Sequence, residues 1–535
     1  MRSIAEAWLA RADDPNPGLR FEDDEWSWSQ AVKEAERRAR WWSDARQPGP
    51  PHVAVLLDNV PEQVWWLGAC ALSGSVFVGA NSTHRGAALA QEVAYTRCQF
   101  LVTDLAHLAL VEGLDLGRGI GVVSADNGRV FLGDAGGRQL PPAGAAPLED
   151  IEPGRLGYLI FTSGTSGAPK ACRCTQGRMA AVGNVLAQRY GLGPHDCCYL
   201  AMPLFHSNAL MAGWAPALVG GATMALPTGG RFSASGFLPD VRKYHATYFH
   251  SVGRPLSYLL ATTERPNDAD NPLKFVFGNE AAPGDVERFA QRFGCEVSDN
   301  YGSTEGGMAV SRTPHTPEGA LGPAPAGALV VGDDLTECAL AEFDEGGRLL
   351  NASAAIGELV STRGRGAFEG YWENDEANES RTRNGWYWTG DLVYKDAEGY
   401  LWFAGRADDW LRVDGENFAA APVTRIIERH PDVVMAAVYA VPDPVVGDQV
   451  MAAVQLRPGA RLDGVAFGQF LHEQPDLGTK WVPRYVRVSE ALPTTATAKL
   501  LVRQLRAEGL DSADPIWELV GRNPFVYAQR APVSP

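Results

Sequence analysis

At 535 residues, 45% of them apolar, the chain has room for roughly three to four folding units of about 150 residues each, and it can bury several cores without disulfides or structural metals. Its 47 basic and 64 acidic residues give a net charge of -17, which excludes the basic surface that sequence-independent nucleic-acid binding requires. Eight cysteines, Cys70, Cys98, Cys172, Cys174, Cys197, Cys198, Cys295 and Cys338, form no CxxC ladder and read as reduced, mostly buried thiols of a cytoplasmic protein.

The opening stretch, MRSIAEAWLARADDPNPG, is amphipathic, and its acidic residues interrupt the apolar run that a signal peptide needs. Two uncharged runs, 64–83 and 207–230, are long enough to cross a bilayer. Internal glycines divide each of them into a buried helix, a stop and a short buried strand, so no transmembrane helix is expected. Between 50 and 305, β-type runs such as VAVLLDN, SVFVGAN, GYLIFTS, CYLAMPL, ATYFHSV, KFVFGN and CEVSDN alternate with helical stretches at 61–72, 178–190, 235–244 and 284–293. That alternation predicts an α/β fold of parallel sheets covered by helices. A Gly/Pro/Ala-rich segment at 133–149 reads as a surface connection. From 320 to 405 shorter, turn-punctuated strands (GALVVGDD, DEGGRLL, GELVSTR, WYWTGDLVYKD, GYLWFAG) predict a small β-rich barrel or sheet. After Arg406 the pattern becomes α+β, with strands near 436–441, 449–456 and 485–488 and helices near 463–473 and 500–508.

The sharpest chemical signal is YLIFTSGTSGAPK at 158–170. A buried strand leads into Thr162, Ser163, Gly164, Thr165, Ser166 and Gly167, with Lys170 closing the loop. Two glycines allow backbone N–H groups to approach a polyphosphate closely, while the hydroxyls add donors and the lysine a charge. The loop is not a Walker P-loop, because no Gly-Lys-Ser/Thr closes it. Lysine is scarce in this chain, seven against forty arginines, so its presence here carries weight. An acidic chain must hold anionic substrates by such local donors, since its overall field opposes them.

TSGTSGAPK resembles the phosphate loop of the adenylate-forming (AMP-binding) superfamily of acyl-CoA synthetases, peptide-synthetase adenylation domains and luciferases. Further motifs of that superfamily follow in order: MPLFHS (202–207), NYGSTEG (300–306), YWTGDL (387–392), GRADDWLRVDGEN (405–417) and LPTTATAK (492–499). FGNEAAPGDVERFAQRFG, RVDGEN and PIWELVGRNPFVY are most similar to the branch of fatty-acid transport proteins and very-long-chain acyl-CoA synthetases, with its soluble bacterial fatty-acyl-CoA ligases. The resemblance implies a large AMP- and acyl-binding domain over 1–407 and a small mobile domain over 408–535.

It also implies roles. Tyr301 would stack on adenine with Asn300 at its edge and Gly302 in the turn, Gly278, Asn279 and Glu280 forming the opposite wall. Thr304 would meet the α-phosphate and Glu305 would bind Mg²⁺. Asp391 would accept from the ribose diol, Arg406 would contact ribose and phosphate, and Asp408 would be the hinge. His206 would gate the carboxylate end of an apolar acyl channel lined by the small residues after it. Lys499 would be the catalytic lysine bridging carboxylate and α-phosphate. Three positions depart from the superfamily's commonest pattern, Ala171, Asp414 and Ala498 standing where glycine is usual; the fatty-acid transport branch tolerates other residues at all three.

The expected activity is therefore ligation of a fatty or other bulky apolar carboxylic acid to CoA, with ATP and Mg²⁺, through an acyl-adenylate. An acyl-AMP ligase loading a carrier protein, or a non-catalytic lipid uptake or binding protein, is the alternative. Amino-acid activation is disfavoured because HATYFHSV lacks the aspartate that would pair a substrate amine. Peripheral contact with a membrane stays open.

Overall fold

Most of the sequence up to residue 311 is arranged around two sheets with parallel cores. A computed structural model describes the chain except for residues 117–120, 127–128, 133–150, 163–168, 282–283, 333, 345–348, 407–409, 414–415, 444–446, 475–476, 479, 496–499 and 531–535. The seven-stranded sheet has five parallel strands (Gly121–Asp126, Phe100–Thr103, His52–Leu56, Val76–Gly79, Leu156–Thr162) with antiparallel strands Arg129–Leu132 and Lys170–Thr175 at its edges. The eight-stranded sheet repeats that plan. Its parallel strands are Glu296–Gly302, Phe275–Asn279, Tyr248–His250, Cys197–Tyr199, Thr223–Ala225 and Pro17–Phe21, and Ala309–Ser311 and Asp24–Ser27 close its edges. Every residue of His52–Leu56 and Val76–Gly79 is buried, as expected of strands covered on both faces.

The helices start and stop where local chemistry dictates. Trp28–Ala45 begins with a reciprocal capping box between Ser27 and Gln30. Pro61–Ser73 has proline in its first turn and ends at Gly74, which is left-handed at φ 65°. The strand Val76–Gly79 follows at once, so the first uncharged run does divide into helix, stop and strand. The second run divides in the same way, with helical turns over Ala209–Gly220, left-handed Gly221 and the strand Thr223–Ala225. Among the described residues no helix is long and apolar enough to cross a membrane.

The amphipathic opening forms the helix Ile4–Leu9, whose Ile4, Ala7 and Trp8 are buried in the main core. Neither this docking nor the hairpin Pro17–Ser27 was expected from the sequence, because partners such as Met224 and Ala225 lie two hundred residues on. The first 80 residues close a tryptophan-rich layer in which Trp8, Trp28, Trp42 and Trp66 are fully buried. Gly68 sits at its tightest point, where a Cβ would fall 2.7 Å from Ala35 Cβ and 2.8 Å from Trp8.

The β-rich block is an antiparallel sheet rather than a closed barrel, ordered Ala320–Pro323, Tyr400–Arg406, Trp386–Lys395, Gly357–Ser361, Ala328–Val331, with Thr382–Arg383 added beside Trp386–Lys395. Of the expected strand DEGGRLL, residues 345–348 fall outside the described residues and Leu349 forms a bridge to Phe343; the 133–149 connection also falls outside them. The last block is a seven-stranded sheet around the long hairpin Val433–Asp443 and Gly447–Leu456. Helices Ala420–Ile427 and Gly464–His472 cover one face and Val502–Glu508 the other. Tyr258, from the first part of the chain, packs into the second of those cores, and Arg254 pairs with Glu428 beside it.

None of the eight cysteines is disulfide-bonded, and six of them are buried. Burial pushes the Cys172 and Cys174 thiols up to about 12, so both stay protonated at neutral pH.

Gly68→Ala should lower the thermal unfolding midpoint, because overpacking a dense core costs about 1–3 kcal/mol while alanine returns only about 1 kcal/mol of helix propensity. Gly154→Ala, where a Cβ meets nothing within 4 Å, should leave the midpoint unchanged. Equal midpoints for the two variants would show that the helix crossing at Gly68 is looser than described.

Candidate active site

Ligands of open α/β sheets sit beyond the carboxyl ends of parallel strands, and the sequence motifs gather at those ends. Strand Glu296–Gly302 delivers Asn300, Tyr301 and Gly302, and the turn after it carries Thr304, half-buried, and Glu305, buried. Strand Phe275–Asn279 runs parallel to it with Asn279 opposite Asn300. Glu280 then leaves the strand in the left-handed region at φ 60°. A Cβ on Gly278 would lie 3.0 Å from the Asp299 carboxylate. Burial raises that carboxyl to about 7.

Two contacts fix Thr304. Its hydroxyl is 2.8 Å from that of Ser207, and its carbonyl accepts from the Arg178 guanidinium at 2.6 Å. Two side chains hold Glu305. The Tyr371 hydroxyl donates to Oε1 at 2.6 Å, and Arg381 stands 4.0 Å from the same oxygen. Burial acts to raise the Glu305 carboxyl, but the Tyr371 hydrogen bond and the Arg381 charge outweigh it and its pKa is lowered. Arg381 also donates to the Tyr371 oxygen at 3.2 Å, to the Trp388 carbonyl at 3.2 Å and to the Thr389 carbonyl.

That last contact reaches the strand Trp386–Lys395, on which Asp391 accepts from the Tyr301 hydroxyl at 2.6 Å. Burial and the Asp391 charge push the Tyr301 phenol up, so it remains a donor. Asp391 is also the cross-strand partner of Arg406. The two residues assigned to adenine and ribose from separate motifs are thus bonded to each other.

A second polar string joins the residue after the MPLFHS motif to the ends of strands Phe275–Asn279 and Glu296–Gly302. Asn208 Nδ2 donates to the Ser251 carbonyl and to Asn279 Oδ1, both at 3.1 Å, and Asn279 Nδ2 donates to the Asn300 carbonyl at 2.6 Å. Those donors turn Asn208 Oδ1 toward His250, whose Nδ1 lies 2.8 Å away and must carry the proton. Burial drives the His250 pKa down to about 3, so the ring is neutral. The Asn208 N–H also reaches His206 Nδ1 at 3.3 Å.

The helix expected after His206 opens as a π-helix, Ala209–Trp214, before Ala215–Gly220 continues as α. Pro216 explains the wider turn. Proline has no N–H to give the Ala212 carbonyl, and that carbonyl accepts instead from the Tyr248 hydroxyl at 2.8 Å. Gly213 then passes against His250, where a Cβ would fall 2.4 Å from Nε2.

On the phosphate arm, Thr162 ends its strand in register with Lys170, which opens the next one. Ser163, Gly164, Thr165, Ser166 and Gly167 lie outside the described residues, as do Lys499 and Asp408, and Arg406 is described only by its place in the strand. Of the assigned residues, the structure brings together Asn279, Asn300, Tyr301, Thr304, Glu305 and Asp391, with His206 joined through Asn208. Sequence reasoning missed Arg178, Ser207, Asn208, His250, Tyr371 and Arg381 as parts of the site. Ser207 and Asn208 end and directly follow the quoted MPLFHS motif and could have been found there. Tyr371 and Arg381 have no local signal.

A buried, ionised carboxylate and a threonine hydroxyl are hard oxygen donors of the kind Mg²⁺ selects. Asn300 Oδ1 is a buried acceptor with no partner among the described residues, which suits an amine on a bound base.

Comparison with known proteins follows this geometry. The family described as "AMP-binding enzyme" matches residues 7–372, and "AMP-binding enzyme C-terminal domain" matches 423–499. The chain is 48% identical over 526 residues to the steroid-22-oyl-CoA synthetase of Rhodococcus jostii (strain RHA1), covering 97% of this chain and 93% of that protein. It is 46% identical over 526 residues to the medium/long-chain-fatty-acid–CoA ligase FadD17 of Mycobacterium tuberculosis (strain ATCC 25618 / H37Rv), covering 97% and 98%. Among solved structures, the anthranilate CoA ligase AuaEII with anthranoyl-AMP superposes with a TM-score of 0.80 at 21% identity, covering 94% of this chain and 96% of that one. The o-succinylbenzoate CoA synthetase of Bacillus subtilis with ATP and magnesium gives 0.76 at 25% identity, covering 93% and 98%. The motif order, the paired parallel-cored sheets and these whole-length matches agree: the chain belongs to the AMP-binding enzyme family, the adenylate-forming superfamily that its sequence resembles.

Proposed function

We propose that this chain is an AMP-forming acid–thiol ligase that joins a fatty or other bulky apolar carboxylic acid to CoA at the expense of ATP. The observation that carries the reading is the convergence on one turn: Thr304 and Glu305 are fixed beside the Tyr301–Asp391 pair, and Arg178, in the helix after the strand that starts at Lys170, donates to the Thr304 carbonyl. The curated relatives named for steroid and fatty-acid CoA ligation, matched over nearly their full length, support the same chemistry and both kinds of apolar acid.

In this reading Tyr301 lies against adenine, Asn300 Oδ1 accepts from its amine and Asp391 accepts from the ribose hydroxyls. Thr304 donates to the α-phosphate, and Thr162, Ser163, Gly164, Thr165, Ser166, Gly167 and Lys170 enclose the outer phosphates. Mg²⁺, held by Glu305, would neutralise charge on those phosphates. The acid enters past His206 along the helix that begins at Ala209, and its carboxylate attacks the α-phosphate. Lys499 lies between the two anions, a place where one cation lowers the barrier. Residues 408–535 then turn about Asp408, withdraw Lys499 and admit the CoA thiol to the acyl-adenylate. Eight cysteines without a disulfide suit the cytoplasm. A carrier protein as acceptor, or lipid binding without turnover, are the rivals, and the absence of CoA-dependent AMP formation would favour them.

The first test is a screen of acids for CoA-dependent AMP formation. Specificity constants should rise with straight-chain length by about fourfold per methylene, from roughly 0.8 kcal/mol each, until the pocket is full. A steroid side-chain acid belongs in the same screen. Preference for acetate or for a free amino acid would sink the apolar-acid reading.

Glu305→Gln keeps the side chain's shape and removes its charge. It should slow pyrophosphate release and raise the Mg²⁺ concentration needed for half-maximal rate. Parent-like Mg²⁺ dependence would remove Glu305 from the metal site.

The two half-reactions should separate in two further variants. Lys499→Ala should lose adenylation by about a hundred- to a thousandfold, yet form thioester from supplied acyl-adenylate and CoA at close to the parent rate. Asp408→Pro should leave pyrophosphate release largely intact and stall the CoA step. Equal loss of both halves in Lys499→Ala would make that lysine structural.

A further inference from the structure

Arg178 is a buried cation that forms no ion pair among the described residues. Three arginines are buried among the described residues: Arg38, Arg178 and Arg487. Arg38 pairs with Glu34 and Glu62, and Arg487 with Glu508 and Asp514. Among the described residues Arg178 has no carboxylate in hydrogen-bond or ion-pair contact. Its guanidinium donates to the Arg173 carbonyl at 3.1 Å and the Thr304 carbonyl at 2.6 Å, and stands 3.9 Å from Cys172 Sγ. Glu369 acts on it only through space, since its oxygens accept from the Thr175 N–H and hydroxyl at 2.6 and 2.7 Å.

A buried, unpaired charge is costly unless something in the working protein compensates it. The neighbours show where compensation would come from. Gly306 is left-handed at φ 70°, and a Cβ there would fall 2.5 Å from the guanidinium, so the turn wraps directly over it. Arg178 lies in the first turn of the helix Gln176–Tyr190, which follows the strand that starts at Lys170. The arm that leaves the phosphate loop therefore ends in a guanidinium beneath the Thr304–Glu305 turn.

We propose that Arg178 is a positioning residue for the ATP-dependent half-reaction, holding that turn by its main-chain carbonyl and setting a buried positive charge beneath the bound phosphates. The inference rests on the nucleotide site proposed above. The fork matters as well as the charge: a guanidinium serves two carbonyls at fixed angles, which an ammonium cannot do.

The test compares Arg178→Gln, which removes the charge, and Arg178→Lys, which keeps it without the fork. ATP binding is measured by calorimetry with Mg²⁺ and no acid, and turnover by pyrophosphate release. Arg178→Gln should weaken ATP binding and raise KM for ATP by at least about tenfold, as expected for losing a charged hydrogen bond, with KM for the acid within about twofold. Arg178→Lys should recover most of the ATP affinity but not the rate. If Arg178→Gln does not fold, Arg178→Lys still decides the matter, because its rate must fall while KM for the acid stays put. Parent-like ATP binding and rate, or equal rises in KM for ATP and acid with a lowered unfolding midpoint, would overturn the proposal. A parent that binds ATP but activates no acid would refute the ligase reading and leave the binding comparison standing. A parent that binds no ATP would refute both.

Discussion

Four side chains from four stretches of the chain hold one turn, and the site depends on that convergence. Arg178 takes the Thr304 carbonyl, Ser207 the Thr304 hydroxyl and Tyr371 the Glu305 carboxylate, with Arg381 behind Tyr371. The physical demand is plain. A chain of net charge -17 offers a polyphosphate no favourable long-range field, so attraction must come from groups fixed at short range. Flexible groups would lose part of their binding free energy to ordering. Locking the turn from the protein side meets that cost during folding.

The same economy runs from the nucleotide side toward the acyl side. Pro216 frees the Ala212 carbonyl, Tyr248 accepts the role of its donor, and the resulting π-helix lets Gly213 slide against His250. His250 in turn orients Asn208, and Asn208 reaches Asn279 and through it the Asn300 carbonyl. Wide π-turns recur at functional sites because they re-aim side chains without ending a helix. Here Asn208, just ahead of the turn, bonds to Asn279 while the following small residues stay in the apolar core.

What the sequence revealed and what it hid have a common cause. Strands and helices with period-specific patterns, and glycines that stop them at Gly74 and Gly221, are local facts and were readable. The hydroxyl-rich loop and the NYGSTEG turn stood out as motifs because their polar side chains are consecutive, and the loop lies outside the described residues. The bonds that assemble the site are not local. Thr304 meets Arg178 across 126 residues and Ser207 across 97, and Glu305 meets Tyr371 across 66. A lone arginine in QGRMAA looks like any surface cation until the fold places it. The π-helix was hidden for a related reason, since Pro216 reads as a mild helix irregularity unless the Tyr248 hydroxyl is known to wait opposite.

The contact between the last block and the rest follows from the energetics of buried ions. Arg254 and Glu428 are both mostly buried, and Tyr258, partly buried, packs against an apolar core of the last sheet. A buried ion pair gains little over the same two ions in water, because desolvation cancels most of the attraction. Removing one partner in place is expensive; parting both into solvent is not. An interface closed by such a pair is specific in register yet cheap to open, unlike one closed by a large apolar face. The rotation proposed for residues 408–535 requires a joint of that kind. Arg254 and Glu428 give the small block a defined seat without making the seat permanent.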